Sequence, residues 1–371
     1  MKILCSQCNA TVNIKDNNIP HEKKMAVTCK KCGGRIVLEP GSPQPVKMAG
    51  GEHNPSMPPT SSASPAQPGE VSNIYPHLAD LSPRKFALTE ILTPNKKGDF
   101  KTGQNKFKVK ILGVVKDVVE KMLRKDEVVM RIAAGTAYYP VEVFFGNGYL
   151  TMLYNRYALI ATNQRLLMIN TNHRITKPAH YVYQMPYSII KEVQRGLFRR
   201  NIVLVPKKGK RKTFMTMKTY LSAEMSNFIR NHIDATIPVG TSESMLTDLC
   251  PACYMALEKK LSNCSNCAVE FKTPKKAMLK SLVLPGWGDI YLGHWLLGSF
   301  EVLGSLFVWL IFFGLLMGGR AEDLIIGLFL LVFYNGADSL LTYYMARKGY
   351  ILEKKQPMLP AATERLAQST V

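Results

Sequence analysis

The chain is short of acid: 27 Asp and Glu stand against 48 Lys and Arg, a formal charge of +21 with an isoelectric point near 9.6. Such a surface attracts an anionic partner, either a phospholipid leaflet or nucleic acid. It also lacks an odd cysteine, since all eight fall into C-x-x-C pairs. Catalytic signatures are missing. The seven histidines are scattered, and there is no nucleophile elbow, no phosphate-binding Gly-rich loop and no motif of paired acids, so an enzyme is not expected. Met1-Lys2-Ile3-Leu4-Cys5 is too short an apolar run for a secretory signal, which argues against lipidation of Cys5. Aliphatic residues are scarce from Pro40 to Ile74, where Pro, Ser, Gly, Ala and Gln dominate. That composition predicts a disordered linker over 41–84 with a reach of roughly 35 to 40 Å.

Long apolar runs are confined to one region. Leu296–Met317 and Leu324–Met345 are each long enough to cross a bilayer as a helix, and only Gly-Gly-Arg-Ala-Glu-Asp separates their cores. A loop so short makes them a hairpin, with the rest of the chain on one side. Lys275, Lys276 and Lys280 precede it and Arg347, Lys348, Lys354 and Lys355 follow, while the loop holds Arg320 beside Glu322 and Asp323. The positive-inside rule then places both termini, including the tail 347–371, in the cytoplasm of an inner membrane.

The cysteine spacing predicts two metal sites. Cys5, Cys8, Cys29 and Cys32 leave 20 residues between their pairs, and Cys250, Cys253, Cys264 and Cys267 leave 10. Two knuckles at such spacing converge four thiolates on zinc. Disulfides are disfavoured in a reducing cytoplasm, and a redox pair lacks the expected strand–helix context. Four cysteines close the coordination shell, so both zinc ions are expected to be structural. The first module, 1–40, reads Cys5-Ser6-Gln7-Cys8 and then Val27-Thr28-Cys29-Lys30-Lys31-Cys32-Gly33. It resembles the short zinc ribbons at the N terminus of many bacterial proteins, a resemblance that implies fold and metal but no particular ligand. The second module, 247–273, lies between the central domain and the hairpin and is read as a rigid spacer.

Between them, 106–237 reads as a basic amphipathic helix, Lys106–Arg124, followed by a β-rich domain. The helix carries Ile111, Val115, Val118 and Met122 on one face, for packing on that domain. Strands are expected at 127–132, 141–145, 148–153, 157–162, 165–169, 181–186, 189–195, 201–206 and 213–217. A closing helix follows, with Ser222 as its cap and Leu221, Met225, Phe228, Ile229 and Ile233 on one face. Tyr157–Ile169, with Thr162-Asn163-Gln164-Arg165 at its centre, resembles the strand–turn–strand of bacterial pleckstrin-homology-like domains. The resemblance implies a barrel with a C-terminal helix and no catalysis.

From Lys191 to Lys218 ten basic residues face Glu192 alone. Arg199, Arg200, Lys207, Lys208, Lys210, Arg211 and Lys212 are the candidate anionic-surface site, each worth about 1 kcal/mol near an anionic leaflet. The alternative is a solvated loop kept basic for solubility, and the lack of interleaved aromatics for base stacking ranks nucleic acid below both. Leu284-Pro285-Gly286-Trp287-Gly288-Asp289-Ile290-Tyr291-Leu292-Gly293 breaks any helix, and Trp287, Tyr291 and Trp295 suit a membrane interface. This stretch resembles the entry of a two-transmembrane domain family, which sets that domain at 278–346. Inside the runs, Glu301 and Asp338 lie at similar depth, with Asn335 one turn from Asp338. Charged groups in a span face protein or water, so in an antiparallel pair the two acids can meet, either pinning the pair or a homo-oligomer or serving an ion or proton. The whole reads as a multidomain, non-enzymatic membrane-anchored scaffold whose ribbons and PH-like module recognise a protein partner or the anionic leaflet; the alternative is a tethered nucleic-acid-binding regulator.

Overall fold

The structure, a computed structural model, describes residues 73–354 except 96–97, 146–147, 197–198, 234–245 and 258–260, together with four strands near the N terminus. The chain divides into two units, Met1–Ser62 and Ala63–Val371. In the first, β1 (Lys2–Leu4) pairs antiparallel with β2 (Thr11–Asn13), and β3 (Met25–Thr28) with β4 (Arg35–Leu38). Strands β1 and β3 end directly before Cys5 and Cys29.

The second unit begins earlier than its composition suggests. Tyr75, Leu78 and Leu81 are buried, and Tyr75 Oη donates to Phe100 O at 3.0 Å, so the tail of the expected linker, 73–84, belongs to the core. Next comes α1 (Gly103–Met122), capped by the Thr102 side chain, which accepts from Asn105 N. Ile111, Leu112, Val115, Val118, Val119 and Met122 recur at helical spacing and are buried, so the helix packs on the sheet.

A meander follows: β5 (Val129–Ala137), β6 (Arg156–Thr162), β7 (Arg165–Thr171), β8 (Pro178–Pro186), β9 (Ile190–Arg195), β10 (Ile202–Pro206) and β11 (Lys212–Met215). With β12 (Thr247–Leu249) and β13 (Ala256–Leu257) they form a nine-stranded antiparallel sheet in the order β13-β12-β8-β7-β6-β5-β11-β10-β9. The period-two alternation sorts side chains to two faces. Ala158, Ile160, Leu167 and Ile169 meet α1 on one, and Tyr157, Leu159, Ala161 and Met168 enter the other. That second core is closed by α4 (Thr219–Ile233), through Leu221, Met225 and Ile229.

Two strand expectations fail. Residues 141–145 and 148–153 lie instead in α2 (Pro140–Phe145) and α3 (Gly148–Tyr154), which join β5 to β6. Their Val, Phe and Tyr content favours strands, but that preference yields to tertiary context: Glu142 turns inward to a buried partner while Val141 and Val143 stay exposed. Ser222 is not the cap of α4 either. The helix starts three residues earlier, and Ser222 Oγ donates to Arg199 O at 2.9 Å.

Four helices end the described chain: α5 (Pro274–Val283), α6 (Trp287–Leu292), α7 (Trp295–Met317) and α8 (Ala321–Ala346). The last two are long and apolar enough to cross a membrane, and most of their large side chains are exposed. Gly286 and Gly293 bracket α6 in left-handed conformations, φ 83° and 95°, which glycine adopts without Cβ strain. A Cβ on Gly286 would lie 2.2 Å from Gly298 O, and one on Gly288 2.3 Å from Ala277 O. Thus α5 runs along α8, Ser339 Oγ donating to Met278 O and Asn335 Nδ2 to Leu282 O, and the Pro285-Gly286 turn sends α6 back.

Candidate functional site

In the second cysteine module the strand β12 delivers Cys250, and both knuckles have the same local design. Tyr254 N donates to Cys250 O and Ala268 N to Cys264 O, each at 2.9 Å, while Tyr254 and Ala268 adopt φ 60° and 57°. The four thiols converge, with Cys250 and Cys267 Sγ atoms 3.7 Å apart and Cys253 and Cys264 also 3.7 Å. Tetrahedral zinc with bonds of about 2.3 Å sets its sulfurs about 3.8 Å apart, whereas a disulfide needs about 2.05 Å. Donor chemistry and spacing therefore fit a structural metal. The other tetrad, Cys5, Cys8, Cys29 and Cys32, lies outside the described residues.

The Thr162-Asn163-Gln164-Arg165 turn proves to be a fastening. Thr162 Oγ1 accepts from Gln164 N and Arg165 N, and Asn163 Oδ1 accepts from Val128 N. Arg165 makes a two-pronged pair with Glu127, 2.9 Å on each prong, and donates to Met122 O at the end of α1. Buried donors and acceptors are thus matched at this end of the sheet, and the motif is spent on architecture.

The basic residues of the candidate anionic-surface site do not form one cluster. Arg199 and Arg200 sit at the β9–β10 turn, whereas Lys207, Lys208, Lys210 and Arg211 form the exposed β10–β11 turn at the opposite end of β10, about 15 Å away. Lys212 faces inward, its ammonium 5.2 Å from the Tyr139 ring and 5.5 Å from that of Tyr183. Burial lowers its pKa.

At that same end the sheet grips the helices. Tyr154 Oη accepts from Leu296 N at 3.0 Å and Leu297 N at 3.4 Å, capping α7. Tyr183 Oη donates to Lys348 O at 2.6 Å and Tyr181 Oη to Met345 O at 3.3 Å, capping α8. The Lys348 ammonium, its side chain 4% exposed, pairs with Glu142 and donates to Asn155 Oδ1 at 2.8 Å. Burial lowers the Lys348 pKa and the Glu142 carboxylate opposes that. Beyond the helices the chain returns to the cysteine module, with Lys272 N donating to Ile351 O and Glu353 N to Glu270 O, 2.8 and 2.9 Å. The module is therefore held between sheet and hairpin.

Among the helices, Glu301 and Asp338 do meet, and a third acid joins them. Carboxylate oxygens of Asp289, Glu301 and Asp338 lie within 4.8 Å of one another. Asp289 accepts from Thr342 Oγ1 at 2.6 Å and lies 3.1 Å from His294 Nδ1; Asp338 accepts from Gly286 N at 2.9 Å. Glu301 Oε2 is enclosed without a donor. Carboxylates this close cannot all ionise in apolar surroundings, so the cluster can share a proton or hold a cation. Asn335 instead reaches Leu282 O, at 3.2 Å.

No family profile matches the chain, and no curated protein matches it at a significant level.

The layout read from sequence therefore rests on the residues themselves: a β-sheet domain, a four-cysteine cluster and two apolar C-terminal helices. Sequence reasoning missed Asp289 as a member of the acid cluster, although it directly follows the Pro-Gly-Trp-Gly stretch. It also missed the roles of Glu142, Asn155 and Lys348, of which only Glu142, an acid in the otherwise apolar 140–145 run, carries a signal in the sequence.

Proposed function

We propose that this chain is a non-enzymatic scaffold of a bacterial inner membrane, with both termini cytoplasmic and its β domain seated on a two-span anchor. One observation carries the reading: tyrosines of the sheet end cap the N terminus of α7 and the C terminus of α8. A flexible tether needs no such contacts; a platform that presents its surfaces at a fixed angle to the bilayer does. The order β8-β7-β6-β5-β11-β10-β9 with α4 closing the interior supports a PH-like barrel. The exposed Lys207–Arg211 turn lies at the end of the sheet that meets the helices, which supports contact with an anionic leaflet at about 1 kcal/mol per charge. The first cysteine tetrad, with its own zinc, supplies a separate recognition module for a protein partner.

The test uses the full chain in detergent micelles. It should partition with anionic over neutral vesicles, and weaken when Lys207, Lys208, Lys210 and Arg211 are reversed to Glu. Tight retention of DNA or RNA at physiological salt, with a steep salt slope, overturns the reading in favour of a nucleic-acid regulator.

A further inference from the structure

The β domain, the cysteine module and the helical base meet around a cavity of about 700 Å³. Its wall presents Lys177, Lys272, His173, His180 and His294 against one carboxylate, Glu353. That carboxylate already accepts a 2.5 Å hydrogen bond from Tyr291 Oη. Lys272 is set in place by donating to Tyr291 O, with its ammonium 5.0 Å from the ring of the same residue. The His294 ring is fixed by Asp289 at Nδ1, which leaves Nε2 as the nitrogen it can offer to the cavity. The wall is thus rich in cationic and hydrogen-bonding groups, and the volume suits a small polar group of several heavy atoms.

The rim shows what such a group is attached to. Trp295 and Leu296 line the cavity and open the first span; they are 66% and 48% exposed, and the exposed apolar face of α7 continues through Phe300 and Leu303. A ligand that fills both environments has an anionic head and an apolar tail running along the helix. Phosphate oxygens match lysine and imidazole donors. We propose that this cavity holds the phosphodiester headgroup of an anionic membrane lipid. The assignment rests on reading α7 and α8 as membrane spans, and it differs from leaflet attraction by the Lys207–Arg211 turn because it binds one lipid at one place.

Native mass spectrometry of the full chain in detergent, offered phosphatidylglycerol, phosphatidylcholine or glycerol 3-phosphate, tests it. Phosphatidylglycerol should be retained over phosphatidylcholine by about tenfold or more. Lys177→Glu, which reverses a wall charge, and Ala179→Trp, which fills the space, should each remove that preference, with thermal unfolding of each variant recorded to confirm the fold. Lys106→Glu with Lys110→Glu, on the exposed side of α1 and away from the cavity, should leave the adduct intact. Equal retention of both lipids, indifference to both cavity variants, or equal loss in the α1 variant overturns the proposal. Retention of glycerol 3-phosphate as strong as that of the lipid assigns the cavity to a soluble phosphate ester and overturns the lipid. Release from vesicles by alkaline carbonate would instead show that the membrane reading has failed, independently of lipid preference.

Discussion

The two ends of the central sheet are both fastened by a buried ion pair, but the fastenings are built differently. At one end Arg165 grips Glu127 across 38 residues of chain, within a turn that also binds its own backbone. At the other, Lys348 reaches Glu142 and Asn155 across about two thirds of the folded unit, with Asn155 193 residues away. The first fastening completes the β domain. The second joins that domain to the helices, so the angle between them depends on contacts that form only after the hairpin exists.

Metal removal should disturb this contrast most. Strand β12 leads into Cys250 and pairs with Tyr183 and Gln184 of β8, so the cysteine module forms the edge of the sheet. Structural zinc contributes roughly 10 kcal/mol to a small module. Chelation, or Cys250→Ser with Cys264→Ser, should therefore expose β8 and the 351–353 segment to hydrogen exchange. The Thr162–Arg165 turn should stay protected; loss of protection at both ends together would mean that the two fastenings are one cooperative unit.

Breaking either pair singly comes next. Lys348→Met leaves Glu142 buried and uncompensated, at a cost of about 3 to 5 kcal/mol, and Glu127→Gln does the same to Arg165. Exchange should rise at 140–154 and 347–353 in the first variant, and at the end of α1 and 162–165 in the second. Adding Glu142→Gln to Lys348→Met should recover part of the loss, because no unpaired charge then remains. Identical exchange patterns in the two single variants would refute the distinction between the ends.

Legibility follows the same divide. The Thr-Asn-Gln-Arg turn, the cysteine knuckles and the amphipathic α1 are local patterns, set by neighbours a few residues away, and their elements stand close to where the periodicity puts them. Helices α2 and α3 were illegible because their apolar, β-branched residues carry strand preference, and only the distant Lys348 explains why Glu142 must turn inward. The acid cluster was half legible. Position along two antiparallel apolar helices brought Glu301 to Asp338, but Asp289 enters through the Gly286 turn, whose direction no periodicity encodes.

Alkaline pH offers a finer probe of the helix-facing end. Burial raises the Tyr181 and Tyr183 pKa values well above 10.0. Their stabilising contribution is complete below that unfolded-state value and is lost as pH climbs past it. Lys212 and Lys348 shift the other way, below 10.5, so their penalty eases as pH approaches that value from below. Stability should therefore rise slightly on mild alkalinisation and fall steeply beyond about pH 10, the fall being shallower in Tyr183→Phe. A monotonic decline from neutral pH would mean that the lysines contribute nothing to the titration.

The smallest effect belongs to the acid cluster, and it separates architecture from chemistry. Asp338 accepts from Gly286 N and Asp289 from Thr342, so each carboxylate holds a turn or a helix in place. Glu301 Oε2 has no donor. Glu301→Gln keeps the shape and leaves an amide that can donate to the neighbouring Asp289 and Asp338 carboxyls, so it is expected to change stability by less than about 1 kcal/mol, against about 1 to 3 kcal/mol for Asp338→Ala, which strands a buried N–H. Those values come from unfolding the purified chain in micelles. If Glu301→Gln proves as damaging as Asp338→Ala, the Glu301 carboxyl is itself a structural partner in the bundle. If it leaves the fold untouched and abolishes the protein's action in the membrane, the cluster handles a proton or a cation, and the fastened sheet above it becomes the means by which that event is felt outside the bilayer.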